Sequence, residues 1–262
     1  MPATTDFIQT QAHLDQLSKA LDSGTFVHVR RLLESLPAPE VAHVIESSPP
    51  KTRSVIWRLI DIEQEGEVLP YLSDEIQSQF LRQMNTEEVA TVTEGLEADD
   101  IADLLQQLPD RVTQEVLELM DLQDRQRVEQ VLSYPEDTAG GMMNTDAITV
   151  RPKTTVDVVL RYLRRHEELP EMIDNVIVVN RKDEYIGLLP LRKILVSDPG
   201  TTVREIMITD FEAIPATMDD GEVANLFERN DWVSAPVIDA HGKMIGRITI
   251  DDVVDVIRED AD

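Results

Sequence analysis

Apolar residues recur along the first half of the chain with a period of twelve. Cut every twelve residues from Thr25, the sequence falls into nine blocks ending at Leu132, among them NTEEVATVTEGL, EADDIADLLQQL and PDRVTQEVLELM. The eighth position is apolar in every block: Leu32, Val44, Ile56, Val68, Phe80, Val92, Leu104, Val116 and Val128. The twelfth is apolar in all but one, where Ser48 stands. Apolar residues four apart lie on one helical face, and the block openings Pro37, Pro49, Ser73, Asn85, Pro109 and Asp121 suit helix starts. Each block therefore predicts a short helix and a turn. One such helix cannot bury its stripe alone, so neighbours must stack into a superhelix. Residues 25–132 are expected to form an all-α solenoid, with a leader helix over 1–24.

The pattern changes after Leu132. The segment SYPEDTAGG, residues 133–141, brings Pro and paired Gly, and β-branched residues become frequent beyond it, which marks a linker. From there the chain repeats itself. IVVNRKDEYIGLLPLRKIL, from Ile177, lies over PVIDAHGKMIGRITIDDVV, from Pro236, with Gly187 over Gly246. The fronts also correspond, Met143 to Asp146 lying over Met207 to Asp210. Each copy, 142–200 and 201–262, reads as a strand, an amphipathic helix, two strands joined by a charged turn and a closing helix. This tandem α/β pair resembles CBS domains, and the ending Gly246-Arg-Ile-Thr249-Ile-Asp-Asp252 matches their G-x-h-[ST]-x-x-D signature. The expected fold class is thus multidomain, an all-α superhelical solenoid of short helices followed by a tandem CBS pair.

Charge narrows the partners. Acidic residues number 51 against 24 basic, a formal charge of -27, which repels nucleic acid and attracts cations. Cysteine is absent, so any metal site must use oxygen or imidazole. No secretory signal opens the sequence and no run of about 18 apolar residues occurs, so the chain as it stands is not expected to enter or span a bilayer. Enzyme readings find no support: none of the sequences H-E-x-x-H, G-x-S-x-G and G-x-x-x-x-G-K-[ST] is present.

The order of short-helix solenoid, YPEDTAGGMM linker and two CBS copies is similar to the intracellular half of the MgtE family of bacterial magnesium transporters. The resemblance implies a regulatory, magnesium-sensing region at the cytoplasmic face of the bacterial inner membrane. It also implies a homodimer through the CBS pairs, with the chain's own membrane domain following beyond Asp262. Magnesium is a hard cation that takes oxygen ligands and keeps several waters, so facing carboxylates serve it; Ca²⁺ or Mn²⁺ could substitute. By resemblance the metal residues are Glu67, Asp99, Asp103, Asp219, Asp231, Asp252, Asp255 and Asp260. Asp99 and Asp103, four apart, share one helical face, and Asp252 would meet the solenoid across a domain gap. Gly221 departs from a further acidic position of the family, with Asp220 and Glu222 as substitutes. The implied mechanism is that Mg²⁺ bridges the acidic faces of the two domains and favours a compact state that closes the pore.

Some family members bind ATP in the CBS pair. Trp232 matches the residue that stacks on adenine, but Asn175 stands where a tyrosine is expected and Lys193 where an acid reads the ribose. On these departures ATP is a doubtful ligand. The rival reading is an adenine-nucleotide sensor on a helical docking scaffold, and a third is a purely structural interaction protein. Trp57, at position nine of its block, is expected to be a packing residue.

Overall fold

The computed structural model describes residues 26–166, 169–170 and 172–259; the leader expected over 1–24 and the candidate Asp260 lie outside them. The chain divides into two compact units, one running through Leu96 and including Asp103–Arg125, the other made of Glu97–Ala102 and the residues from Gln126 onward.

Helices α1 (Phe26–Leu33), α2 (Ala38–Glu46), α3 (Pro50–Trp57), α4 (Ile62–Val68), α5 (Asp74–Leu81), α6 (Thr86–Val92), α7 (Ala98–Gln106), α8 (Asp110–Leu119) and α9 (Leu122–Leu132) follow the twelve-residue period. Block openings act as caps: Pro37, Pro49, Ser73, Asn85 and Pro109 each precede a helix in extended conformation. Asn85 and Glu88 close a reciprocal capping box at 3.0 and 2.8 Å. Position eight is buried in every block but the first, where Leu32 is half-buried. Position twelve does not continue the helical stripe. Every helix but α9 ends before it, so Ile60 and Leu72 seal turns, while position nine supplies Leu33, Ile45, Leu69, Leu81 and Leu105 to the core. Alternate helices stack, α2 on α4, α4 on α6 and α6 on α8. Trp57 stacks on Phe80 at a centroid distance of 4.2 Å, the packing role expected of it.

The second unit holds two three-stranded sheets of identical topology. In one, β1 (Thr149–Val150) runs parallel to β2 (Asn175–Val179), which pairs antiparallel with β3 (Tyr185–Pro190). In the other, β4 (Ile214–Pro215), β5 (Ser234–Ile238) and β6 (Met244–Thr249) repeat the arrangement. Even the register irregularity recurs, between Val178 and Val179 and between Val237 and Ile238. The first copy carries helices α10 (Val156–Leu163) and α11 (Leu191–Val196); α12 (Val203–Ile206) leads into the second, which carries α13 (Asp220–Asn230) and α14 (Ile250–Glu259).

The copies exchange their fronts. Asn144 and Arg247 trade backbone hydrogen bonds at 2.7 and 2.8 Å, and Ile208 and Leu188 do the same at 2.7 and 2.9 Å. The front of each copy is thereby clamped to the last strand of the other. Ala139, Met142 and Met143 are buried in the core of the second copy, while Ile206 and Met207 pack on that of the first. The two aligned glycines permit this approach: a Cβ on Gly187 would stand 2.3 Å from the Ile208 carbonyl oxygen, and one on Gly246 would stand 2.8 Å from that of Asn144. Gly187→Ala therefore pries one clamp apart. It should destabilise the chain by about 1–3 kcal/mol in denaturant unfolding, and an unchanged midpoint would contradict the exchange.

Candidate functional site

A buried polar group lies within the second unit, where the first turn of α7 faces the second CBS copy. Asp99 is only 5% exposed, and neither of its carboxylate oxygens has a hydrogen-bond partner. Burial pushes its carboxyl well above the usual range, and the Asp252 charge pushes it further, followed by Asp100 and Glu97. Asp252 sits in the first turn of α14. Its carboxylate accepts from the Thr249 N–H at 3.2 Å and lies 2.9 Å from the Thr249 hydroxyl, the capping geometry that the T-x-x-D spacing encodes. Burial, with Asp251 beside it, raises Asp252 to about 7.

Four further residues complete the group, Glu97, Asn144, Asp146 and Arg247. Glu97 accepts from the Asn144 amide, and burial, followed by the Asp146 charge, raises Glu97 to about 7. Arg247, 5% exposed, donates to Asp146 from Nε at 2.8 Å and from Nη2 at 3.3 Å, while its Nη1 is buried without a partner. The result is a desolvated set of carboxylates with one fixed guanidinium.

The other expected metal residues are dispersed. Asp103, one turn after Asp99, is exposed, as is Glu67 on α4. Asp219 precedes α13 and is exposed; Asp231 ends that helix in the left-handed conformation, φ 52°, which Asp tolerates. Asp255 is exposed and pairs with Arg258 at 3.0 Å. Among the described residues no three His, Cys, Asp or Glu side chains gather as a ready ligand set. A hydrated magnesium ion does not require one, since it commonly takes one or two carboxylates and retains water. The donors around Asp99 are all oxygen and the orphaned carboxylate lacks a counter-charge, so this group fits a hard cation.

Sequence reasoning missed Glu97, Asn144, Asp146 and Arg247. A signal existed in the internal alignment, where Arg247 lies over Leu188 and Asn144 over Ile208, polar residues against apolar ones at positions the fold buries.

The expected nucleotide residues belong to the same unit. The Trp232 ring is half-buried and held against Phe211 at 4.5 Å and edge-on to Phe227 at 5.7 Å. Asn175 donates to Asp174 at 2.6 Å, and Asp174 also accepts from the Ser234 hydroxyl, joining β2 to β5. Lys193 donates to the Ile206 carbonyl at 2.9 Å.

Residues 36–137 match the model of the MgtE intracellular N domain, and residues 139–199 and 203–259 each match that of the CBS domain. The magnesium transporter MgtE of Thermus thermophilus is 34% identical over 248 residues, 94% of this chain and 55% of that protein. The MgtE of Bacillus subtilis is 25% identical, covering 92% of this chain and 54% of its own length. The chain spans about half the length of the curated relatives it matches. Among solved structures, the cytosolic domain of the Mg²⁺ channel MgtE in complex with ATP superposes with a TM-score of 0.81 at 34% identity, covering 93% of this chain and 99% of that one. The soluble part of a magnesium transporter superposes at 0.78 with 22% identity, over 97% and 100%, and supports the fold.

The ATP complex corrects one expectation. Asn175 and Lys193 led the sequence reading to treat ATP as doubtful, yet a domain 34% identical over nearly its whole length was solved with ATP bound. The physical reason is that a nucleotide is held by several separate contacts, so departures at two of them do not decide binding.

Proposed function

The chain belongs to the MgtE family of magnesium transporters, and on that premise we propose that it is a regulatory sensing region whose CBS pair takes an adenine nucleotide. The observation that carries this reading is the close match to an ATP-bound domain together with an aromatic ring fixed in place at Trp232. Trp232 would offer the adenine an aromatic face and Asn175 an amide. Lys193, which now donates to a backbone carbonyl, would offer the ribose hydroxyls a donor at the position of the family's acid. ATP would supply a polyanion and a stacking base; the protein's part is to orient them. The family and its matched domains are transport and regulatory modules, and the chain is not an enzyme. Isothermal calorimetry of the chain with ATP tests the reading: saturable heat at micromolar to millimolar concentrations is expected, and its absence ends it.

A second reading is favoured by the orphaned Asp99. Asp99 with Asp252, and Glu97 beside them, would hold a hydrated Mg²⁺ that tethers the first turn of α7 to the second CBS copy and favours a compact state in which the pore is closed. The ion would add positive charge to a group whose carboxylates outnumber its one guanidinium, that of Arg247. In this reading residues 25–132 are the helical domain, 133–141 a linker, and 142–200 and 201–262 the CBS copies. Glu67, Asp103, Asp219, Asp231, Asp255 and Asp260 would contribute to peripheral sites.

Among the described residues no helix is long and apolar enough to cross a membrane. We propose that this region lies at the cytoplasmic face beneath its own membrane domain and pairs with a second copy. Support for pairing comes from apolar side chains on the closing helices that are left in solvent, Leu195 at 76% and Val196 at 84% on α11, and Ile257 on α14.

A further inference from the structure

The two CBS copies agree in topology, in register and in the glycine before the clamp, but not in the residue after it. In the first copy that residue is Leu188, buried against Ile177 and Val179. In the second it is Arg247, equally buried. An apolar side chain satisfies the fold at this position, so the guanidinium is not there for packing. Burying it has a cost that only fixed partners offset. Asp146 meets two of its nitrogens, while Nη1 remains buried and unpartnered. The charges acting on the guanidinium beyond Asp146 are Glu97 and Asp252, the carboxylates that surround Asp99. Asp99, on its side, is nine-tenths buried with two unpartnered oxygens.

We propose that Arg247 is a built-in counter-cation of the acidic group, one that holds the carboxylates together without metal and competes with a divalent cation for them, so that it sets the magnesium concentration at which the site fills. This inference rests on the magnesium reading above. A desolvated unit charge near a cation site lowers its affinity, because the incoming ion meets that charge as well as the carboxylates. The same charge offsets the repulsion among Glu97, Asp99 and Asp252 when no ion is bound. Arginine suits the task better than lysine, since it stays charged when buried and its planar fork is locked by Asp146. Removing the charge should therefore move two quantities in opposite directions: magnesium binds more tightly, and the metal-free fold weakens.

The experiment titrates the full 262-residue chain with magnesium chloride, following tryptophan fluorescence and the thermal midpoint, alongside Arg247→Met, Arg247→Gln and Arg247→Lys. In Arg247→Met the titration midpoint should fall by about tenfold, with a lower metal-free Tm that magnesium restores. Arg247→Gln keeps a donor for Asp146 and should shift in the same sense. Arg247→Lys keeps the charge and should stay within about twofold of the unchanged chain. If the unchanged chain responds to magnesium but the Met and Gln variants titrate at the same or higher concentration, the inference is overturned while the magnesium reading stands. If the unchanged chain shows no response, both fall together.

Discussion

Asp99→Asn should raise the metal-free stability of the chain by about 1–3 kcal/mol, read as a thermal midpoint several degrees higher, although the substitution falls on a buried residue. Most buried substitutions destabilise. This one replaces an orphaned carboxylate, crowded by the charges of Asp252, Asp100 and Glu97, with an amide that can donate to those same acceptors. The sign of the pH dependence follows from the same residues. Glu97 and Asp252 titrate near 7 in the fold, and Asp99 is raised well above its ordinary value, whereas unfolded carboxyls titrate near 4. Over the interval from about 4 to about 7 the folded state thus binds more protons than the unfolded chain, and stability falls as pH rises through it. The contribution is fully present at the acidic end and lost above the folded values. Asp99→Asn should flatten that slope. Magnesium should oppose it in the unchanged chain, because an ion among the carboxylates favours their ionised form, and should do so much less in the variant. A lower metal-free Tm in Asp99→Asn, or an undiminished magnesium response, would remove the basis for a cation site here.

Trp232→Ala should weaken ATP binding by about ten- to a hundredfold, since stacking on an aromatic side chain contributes about 1–3 kcal/mol per base. The ring is positioned by Phe211 and Phe227, so its face is preset and little ordering is lost on binding. Trp232→Phe keeps a stacking face and should retain most of the affinity, which separates loss of the base contact from loss of packing. Lys193→Ala should weaken ATP and adenosine alike, because its amine stands where the family's acid reads the ribose, which both ligands carry. Calorimetry in which the Ala variant of Trp232, still folded, binds ATP within about twofold of the unchanged chain would move the nucleotide elsewhere.

The helical half was legible because its physics is local. A twelve-residue block leaves room for one short helix and one turn, and Pro37, Pro49, Asn85 and Pro109 mark the starts by chemistry that needs no distant partner. The duplication was equally plain, with Gly187 over Gly246 reappearing as two matched registers. The capping role of Asp252 was also implicit in its spacing from Thr249.

Other features were decided only in three dimensions. Helical spacing put Asp99 and Asp103 on one face, yet Asp99 is buried and Asp103 is exposed, because burial depends on what packs against each turn and spacing does not record that. Arg247 and Asp146 are 101 positions apart, and they meet because the front of the first copy is clamped to the last strand of the second. Periodicity records which side of an element seeks burial; it carries no information about which charges another element brings to that side. The sequence by itself therefore determined the elements, their repeats and the family, while the exchange of fronts between the copies decided which carboxylates share a desolvated space and which cation stands among them.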